Sequence, residues 1–310
     1  FLHLRAAIDI PDMNTPRATA EQTLTVAAIG KPVDSLTLDA HLLEIADVKC
    51  EGHAAKFTTD GSTLTISFDP PLAAGVKTDI VTRYTINDPP QGFLWTPETP
   101  AWPGRPAQIH TQGQAETNSY WFPCHDFPNE RQTTELIVTV PAGYLVSSNG
   151  REAEAVKHSG SRDTFHWLQD KPHVNYLVTL VIGKFDVVDV AGPGSRVPMP
   201  VYVPPGRGKD VKASYGNTPK MIELFEKRTG QPYPWDRYAQ LTVWNFGAGG
   251  MENTSATTMY DTAILSPEAL IDTDLDGLIS HELGHQWFGD LVTCKTWEHT
   301  WLNAGGAPHM

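Results

Sequence analysis

His281 and His285 flank Glu282 in the run His281-Glu282-Leu283-Gly284-His285, two imidazoles four residues apart with a carboxylate beside the first. On an α-helix four residues advance the chain by about 400° and about 6 Å, so both rings would share one face and could grip a single tetrahedral ion. Glu282 would stand on the adjoining side of that face, within reach of a proton on a metal-bound water. The chemistry so implied is metal-assisted hydrolysis. Three fixed positions in five also recur by chance, and the alternative is a half-buried helix whose histidines bond to neighbours while Trp287 and Phe288 supply core contacts.

The elements that must carry these groups follow from periodicity. Leu275, Leu278 and Ile279 have helical spacing, and Asp272 and Asp274 are placed to cap or complement a helix start, so a helix is predicted to run into the motif. Before about residue 203 the pattern is different: short β-branched runs at Thr23–Ala28, Ser62–Phe68, Asp79–Ile86, Glu135–Val140, Tyr176–Ile182 and Val197–Val203. Turn pairs such as Asp60-Gly61 and Asn149-Gly150 punctuate them. This predicts an all-β sandwich or saddle-like sheet domain over 1–204. After Pro204-Pro205-Gly206 the signal turns helical, with Met221, Leu224 and Phe225 on one face before a stop at Thr229-Gly230. A strand pair is predicted around Ala239–Trp244, and Ser266-Pro267-Glu268 reads as a helix start. Residues 205–310 form the second domain, and the whole is α+β.

Composition narrows the class without naming it. A chain of 310 residues can build two ordinary cores. The net charge of −13 argues against a nucleic-acid partner, which needs a basic surface to displace counterions. Cys50, Cys124 and Cys294 are odd in number and far apart, neither a disulfide framework nor a zinc knuckle. No apolar run has the length of a membrane span, and the compartment stays open between cytoplasm and periplasm or secretion. A start at Phe1 is expected of a trimmed chain.

Three motifs in order carry a resemblance: Gly249-Gly250-Met251-Glu252-Asn253, then His281 through Asp290, then Trp301-Leu302-Asn303. Together they resemble the zinc aminopeptidases of the aminopeptidase N family, gluzincin metallopeptidases that include leukotriene hydrolase-like members. Thr111-Gln112-Gly113-Gln114-Ala115 and Pro123-Cys124-His125-Asp126-Phe127-Pro128 are similar to that family's amino-terminal domain. Tyr215 through Lys220 and Pro232 through Trp235 are similar to the opening of its thermolysin-like zincin domain, here partial. The resemblance implies one zinc ion on His281 and His285, proton transfer by Glu282, and capture of a peptide's free α-amine by Glu252 and Gln114. It also implies that Gly249, Gly250 and Met251 lie along the substrate, the glycines letting an extended backbone pair with that edge.

The same resemblance exposes a departure. The family's third zinc ligand is the glutamate of a Trp-Leu-Asn-Glu-Gly pattern, and here Trp301-Leu302-Asn303 is followed by Ala304-Gly305. A methyl group cannot coordinate zinc. Glu298, His299 or His309 could stand in, although Gly305, Gly306 and Pro308 argue against a helix there. The family's transition-state-stabilising tyrosine would lie beyond residue 310. Two functions are therefore expected in competition: a zinc aminopeptidase with impaired turnover, or a non-catalytic relative that binds peptide or protein. Of the remaining residues, Trp287, Phe288, Trp297 and Trp301 read as core, Cys124 as buried, and His110, His125, His158, His166 and His173 as surface or hydrogen-bonded.

Overall fold

A computed structural model describes residues 1–309; Met310 lies outside the described residues. In the longest strands of the amino-terminal half's large sheet the side chains alternate, as in the strand His3–Asp9, where Leu4, Ala6 and Ile8 are buried while His3, Arg5 and Ala7 face outward. That period of two builds a sheet with one packed face. Seven strands lie in the order Arg151–Ser159, Arg162–Val174, Arg131–Pro141, His3–Asp9, Arg17–Ala27, Lys77–Asn87 and Glu44–Cys50. A three-stranded sheet, Val33–Asp39, Thr63–Leu72 and Ala54–Thr59, shares its core, with Trp121 and Phe122 fully buried inside. A third sheet, Leu145–Ser148, Leu180–Gly183, Gln108–Thr111 and Phe93–Thr96, leads toward the second half.

Most predicted strands fall inside observed ones, with two exceptions. Tyr176 lies in a 3-10 turn, Asn175–Leu177, and the strand begins at Leu180. The cause is the buried Asn118 amide, which donates to the carbonyls of Asn175 (2.6 Å) and Val178 (3.2 Å) and so withdraws them from a ladder. Of the predicted run 197–203, only Pro200–Val203 is strand.

The second half is a five-stranded sheet in the order Asp186–Asp189, Pro200–Val203, Ala239–Val243, Ala256–Tyr260 and Gly250–Met251, flanked by helices α1 (Val211–Tyr215), α2 (Thr218–Thr229) and α3 (Asp276–Gly284). The first two strands precede residue 204 yet pair with the rest of this sheet. A division near 204 therefore remains a proposal, and sheet pairing argues for drawing it at about 184. Helix α2 ends as predicted, with Gly230 in the left-handed region at φ +68°. Its buried face is carried by Ile222 and Phe225, whereas Leu224 is 44% exposed, a correction of the predicted stripe. Ser266-Pro267 opens only a 3-10 turn, Ala269–Ile271. Among the described residues no helix is long and apolar enough to cross a membrane.

Buried polar contacts join the halves. The buried Arg237 guanidinium donates to the carbonyls of Gly150 (2.7 Å) and Ser148 and to Ser147 Oγ (2.9 Å), over the Trp167 ring. Asn149 Nδ2 donates to the carbonyls of Leu177 and Thr254, each at 2.8 Å. Arg131 donates to the carbonyls of Asp290 and Leu291, each at 3.0 Å. The Arg237 and Asn149 bonds satisfy buried backbone carbonyls, while the Arg131 bonds lie nearer the surface.

His110, read from sequence as surface or hydrogen-bonded, is neither. It is 1% exposed, packs edge-on against Phe246, and neither ring nitrogen has a protein partner. Burial pushes its pKa down to about 4, and burial with the charge of Arg131 pushes His173 down to about 3. Stability from such groups is present above the ordinary value of 6.5 and is lost as pH falls through that value toward the depressed one. Asp126 opposes them: burial pushes it up to about 6, so its contribution is present at low pH and lost as pH rises through about 6. The variant His110→Leu should reduce the loss of stability between pH 7 and pH 5 by about 2 kcal/mol, measured by denaturant unfolding at both values. An unchanged pH dependence would mean that His110 reaches water or a proton acceptor in the folded state.

Candidate active site

The motif stands on α3, whose first amide, that of Asp276, donates to Asp274 Oδ1 at 3.0 Å. Ile279 and Leu283 fix the buried face. Helical bonding carries on past Gly284, with the His285 amide donating to the His281 carbonyl at 3.2 Å. The two imidazole Nε2 atoms consequently lie 3.1 Å apart. Two nitrogen ligands at about 2.1 Å on a tetrahedral ion would be about 3.4 Å apart, so the pair converges as two zinc donors do. His285 Nδ1 faces the Phe288 carbonyl at 2.9 Å. A carbonyl only accepts, so Nδ1 carries the proton and Nε2 keeps its lone pair toward His281.

Glu282 points from the same helix against the edge strand Gly250–Met251. A Cβ at Gly250 would lie 2.4 Å from Glu282 Cδ and Oε1, so a side chain there would displace the Glu282 carboxyl from its place against the strand. Gly249 faces Leu278 more loosely. Glu282 is 4% exposed and its Oε2 has no protein partner. Burial, then the charge of Glu252, pushes its carboxyl well above the usual range. Glu252 itself is buried, with Oε1 accepting from Asn303 Nδ2 at 2.9 Å. Met251 is held at its sulfur by Gln112 Nε2 at 3.3 Å. Gln114 is half-buried in the same loop, whose far side is tied by Glu116 accepting from Trp297 Nε1 at 2.8 Å. The structure thus gathers His281, Glu282, His285, Gly249, Gly250, Met251 and Glu252, with the Gln114 loop anchored beside them.

Two residues quoted above only as parts of motifs, with no role of their own, complete the arrangement. Gln286 Nε2 donates to the Glu252 carbonyl at 3.1 Å, while its Oε1 accepts from the Ser255 amide (2.9 Å) and Tyr233 Oη (3.1 Å). Asn303 is fully buried beside Tyr176 and Glu252. Both are amides set among Trp, Phe and Leu, and that polar-in-apolar placement was the available signal. Among the predicted core aromatics, Trp287 is buried, Phe288 and Trp297 are partly so, and Trp301 is 67% exposed, which corrects its assignment.

The donor set falls short of a zinc site. Among the described residues after Asn303 there is no α-helix, only turns and the 3-10 helix Ala307–His309, and Ala304 is exposed. Glu298 and His299 approach each other at 3.6 Å on the surface, and His309 is exposed. Among the described residues no group of three His, Cys, Asp or Glu side chains could hold a metal. None of the three expected stand-ins joins the imidazoles. The residues present fit zinc as two donors and do not complete its coordination.

Comparison with known proteins agrees with this layout. The model of the peptidase M1 N-terminal domain matches residues 3–177, and that of the peptidase family M1 domain matches 213–310. Human aminopeptidase RNPEPL1 is 32% identical over 255 residues, 82% of this chain and 33% of that protein. Mouse aminopeptidase B is 32% identical over 256 residues, 82% of this chain and 37% of that protein. The chain thus spans about a third of the length of such relatives. In fold it is similar to an M1 zinc metallopeptidase from Deinococcus radiodurans, with TM-score 0.79 at 23% identity over 99% of this chain and 68% of that one. A mutant of that metallopeptidase bound to a Tyr-Ser-Ala substrate superposes with TM-score 0.80 at 22% identity, over 99% of this chain and 68% of that one.

Restoring a carboxylate next to Asn303 tests the donor count. Ala304→Glu should tighten zinc binding by about one to two orders of magnitude, read by competition with a chromophoric chelator. His285→Ala in the same background should remove the gain; no gain in Ala304→Glu would mean that the segment after Asn303 does not turn residue 304 toward the imidazoles.

Proposed function

The chain belongs to peptidase family M1, and from that premise we propose that its site is built for aminopeptidase chemistry, removal of the amino-terminal residue of a peptide, with the hydrolytic step impaired at Ala304. The observation that carries this reading is the position of Glu252. Its carboxylate sits at the end of the edge strand Gly250–Met251, beside Glu282 and anchored at one oxygen by Asn303.

An extended peptide can add to that edge through main-chain hydrogen bonds, which ask nothing of its side chains. Its α-ammonium then meets Glu252 in a charge-assisted pair, with Gln114 as a second contact. This arrangement measures distance from the chain end rather than side-chain identity. The first peptide bond falls toward Glu282, the buried group placed to exchange a proton with the reacting amide. His281 and His285 are the imidazoles that would hold zinc, and with Ala304 in place of a third donor no hydrolytic step is routed through it here. The tripeptide bound to the Deinococcus relative supports peptide as the ligand class.

The second reading, a peptide-binding relative without turnover, rests on Ala304 alone. The two separate in one pair of assays. Both require that an unblocked tripeptide amide bind more tightly than its N-acetylated form and that Glu252→Gln abolish the difference, by about tenfold or more for a lost charge-assisted contact. Release of aminoacyl anilides by the zinc-loaded protein, lost in Glu282→Gln, supports the catalytic reading; binding without release supports the other. Equal affinity for blocked and unblocked peptides would overturn both.

A further inference from the structure

Asn303 does more than fill space next to the incomplete donor set. Its Nδ2 donates to two acceptors at once, Glu252 Oε1 at 2.9 Å and Tyr176 Oη at 3.0 Å. A carboxylate only accepts, so chemistry dictates which way the amide turns. Its Oδ1 has no protein partner and lies over Gly289, where a Cβ would come within 2.4 Å of it. Gly289 also adopts φ +128°, so that position is reserved for glycine by backbone conformation and by the room this amide needs.

The surroundings explain why an amide suits the place. Glu282 and Asp290 are both buried and both feel the charge of Glu252. A further carboxylate would add repulsion, and a lysine or arginine would occupy Glu252 as an internal counter-ion. A neutral donor fixes the carboxylate through Oε1 and leaves Oε2 and the negative charge to a cationic ligand. Tyr176, the other acceptor, follows the strand Arg162–Val174 of the amino-terminal half, so the anchor needs both halves of the chain.

We propose that Asn303 is a positioning residue that orients Glu252 and thereby sets the discrimination between unblocked and blocked peptides, an inference that rests on Glu252 being the amine site. The test compares trialanine amide with N-acetyl-trialanine amide by calorimetry on the full chain and four variants. The wild type prefers the free amine, and Glu252→Gln removes that preference. Asn303→Ala cuts it about tenfold by weakening only the unblocked ligand, as expected for a lost hydrogen bond to a charged group. Asn303→Ser behaves the same way, and Tyr176→Phe loses a smaller share. A preference intact in Asn303→Ala, or equal weakening of both ligands, overturns the proposal, since a merely structural role would not single out the amine. If Asn303→Ala does not fold, Asn303→Ser and Tyr176→Phe decide by the same criterion. No preference in the wild type, or one that survives Glu252→Gln, instead overturns the reading of Glu252 itself.

Discussion

The segment Glu252-Asn253-Thr254-Ser255 is buried almost completely, and burying four consecutive polar residues obliges the rest of the fold to supply partners. They come from separate parts of the chain. Asn149 takes the Thr254 carbonyl, Gly150 donates its amide to Ser255 Oγ, and Gln286 bonds both the Glu252 carbonyl and the Ser255 amide. Asn303 takes the Glu252 carboxylate. An unpaired group here would cost about 1–3 kcal/mol, so these bonds hold the loop to one geometry.

Two consequences follow for the site. The amino-terminal sheets are not a passive neighbour, because Asn149 and Gly150 bond the loop that bears Glu252, and Tyr176 accepts from the Asn303 amide that holds its carboxylate. The motif helix is tied to the same loop one residue after His285, through Gln286. His281, His285, Glu282 and Glu252 are therefore set relative to one another by short buried bonds. Preorganisation of that kind lets a site act without paying for order when a ligand arrives.

Against that ordered half, the missing donor is confined to one stretch. Asn303 is buried and bonded to Glu252; among the described residues beyond it the chain forms only turns and a short 3-10 helix, and Ala304 faces solvent. The two parts of the proposed site are carried by different elements: Glu252 by the edge strand with its loop, and the imidazoles by α3 and the turn that follows it.

Local rules made much of this legible. Spacing of four on a helix puts His281 and His285 together whatever surrounds them, and period-two alternation marks strands such as Arg17–Ala27 before any sheet is assembled. Gly230 ends α2 by its own backbone freedom, and a methyl at 304 is no ligand in any fold. What the tertiary structure alone decided was burial and long-range pairing: Ile222 rather than Leu224 facing inward, Trp301 in solvent, His110 sealed without a partner. The roles of Gln286 and Asn303 belong to the same class, since their partners lie 34, 31 and 51 residues away or further, on other elements. A residue's periodicity is written in its neighbours along the chain, whereas its hydrogen-bond partner is chosen by whichever distant group the packing leaves unsatisfied.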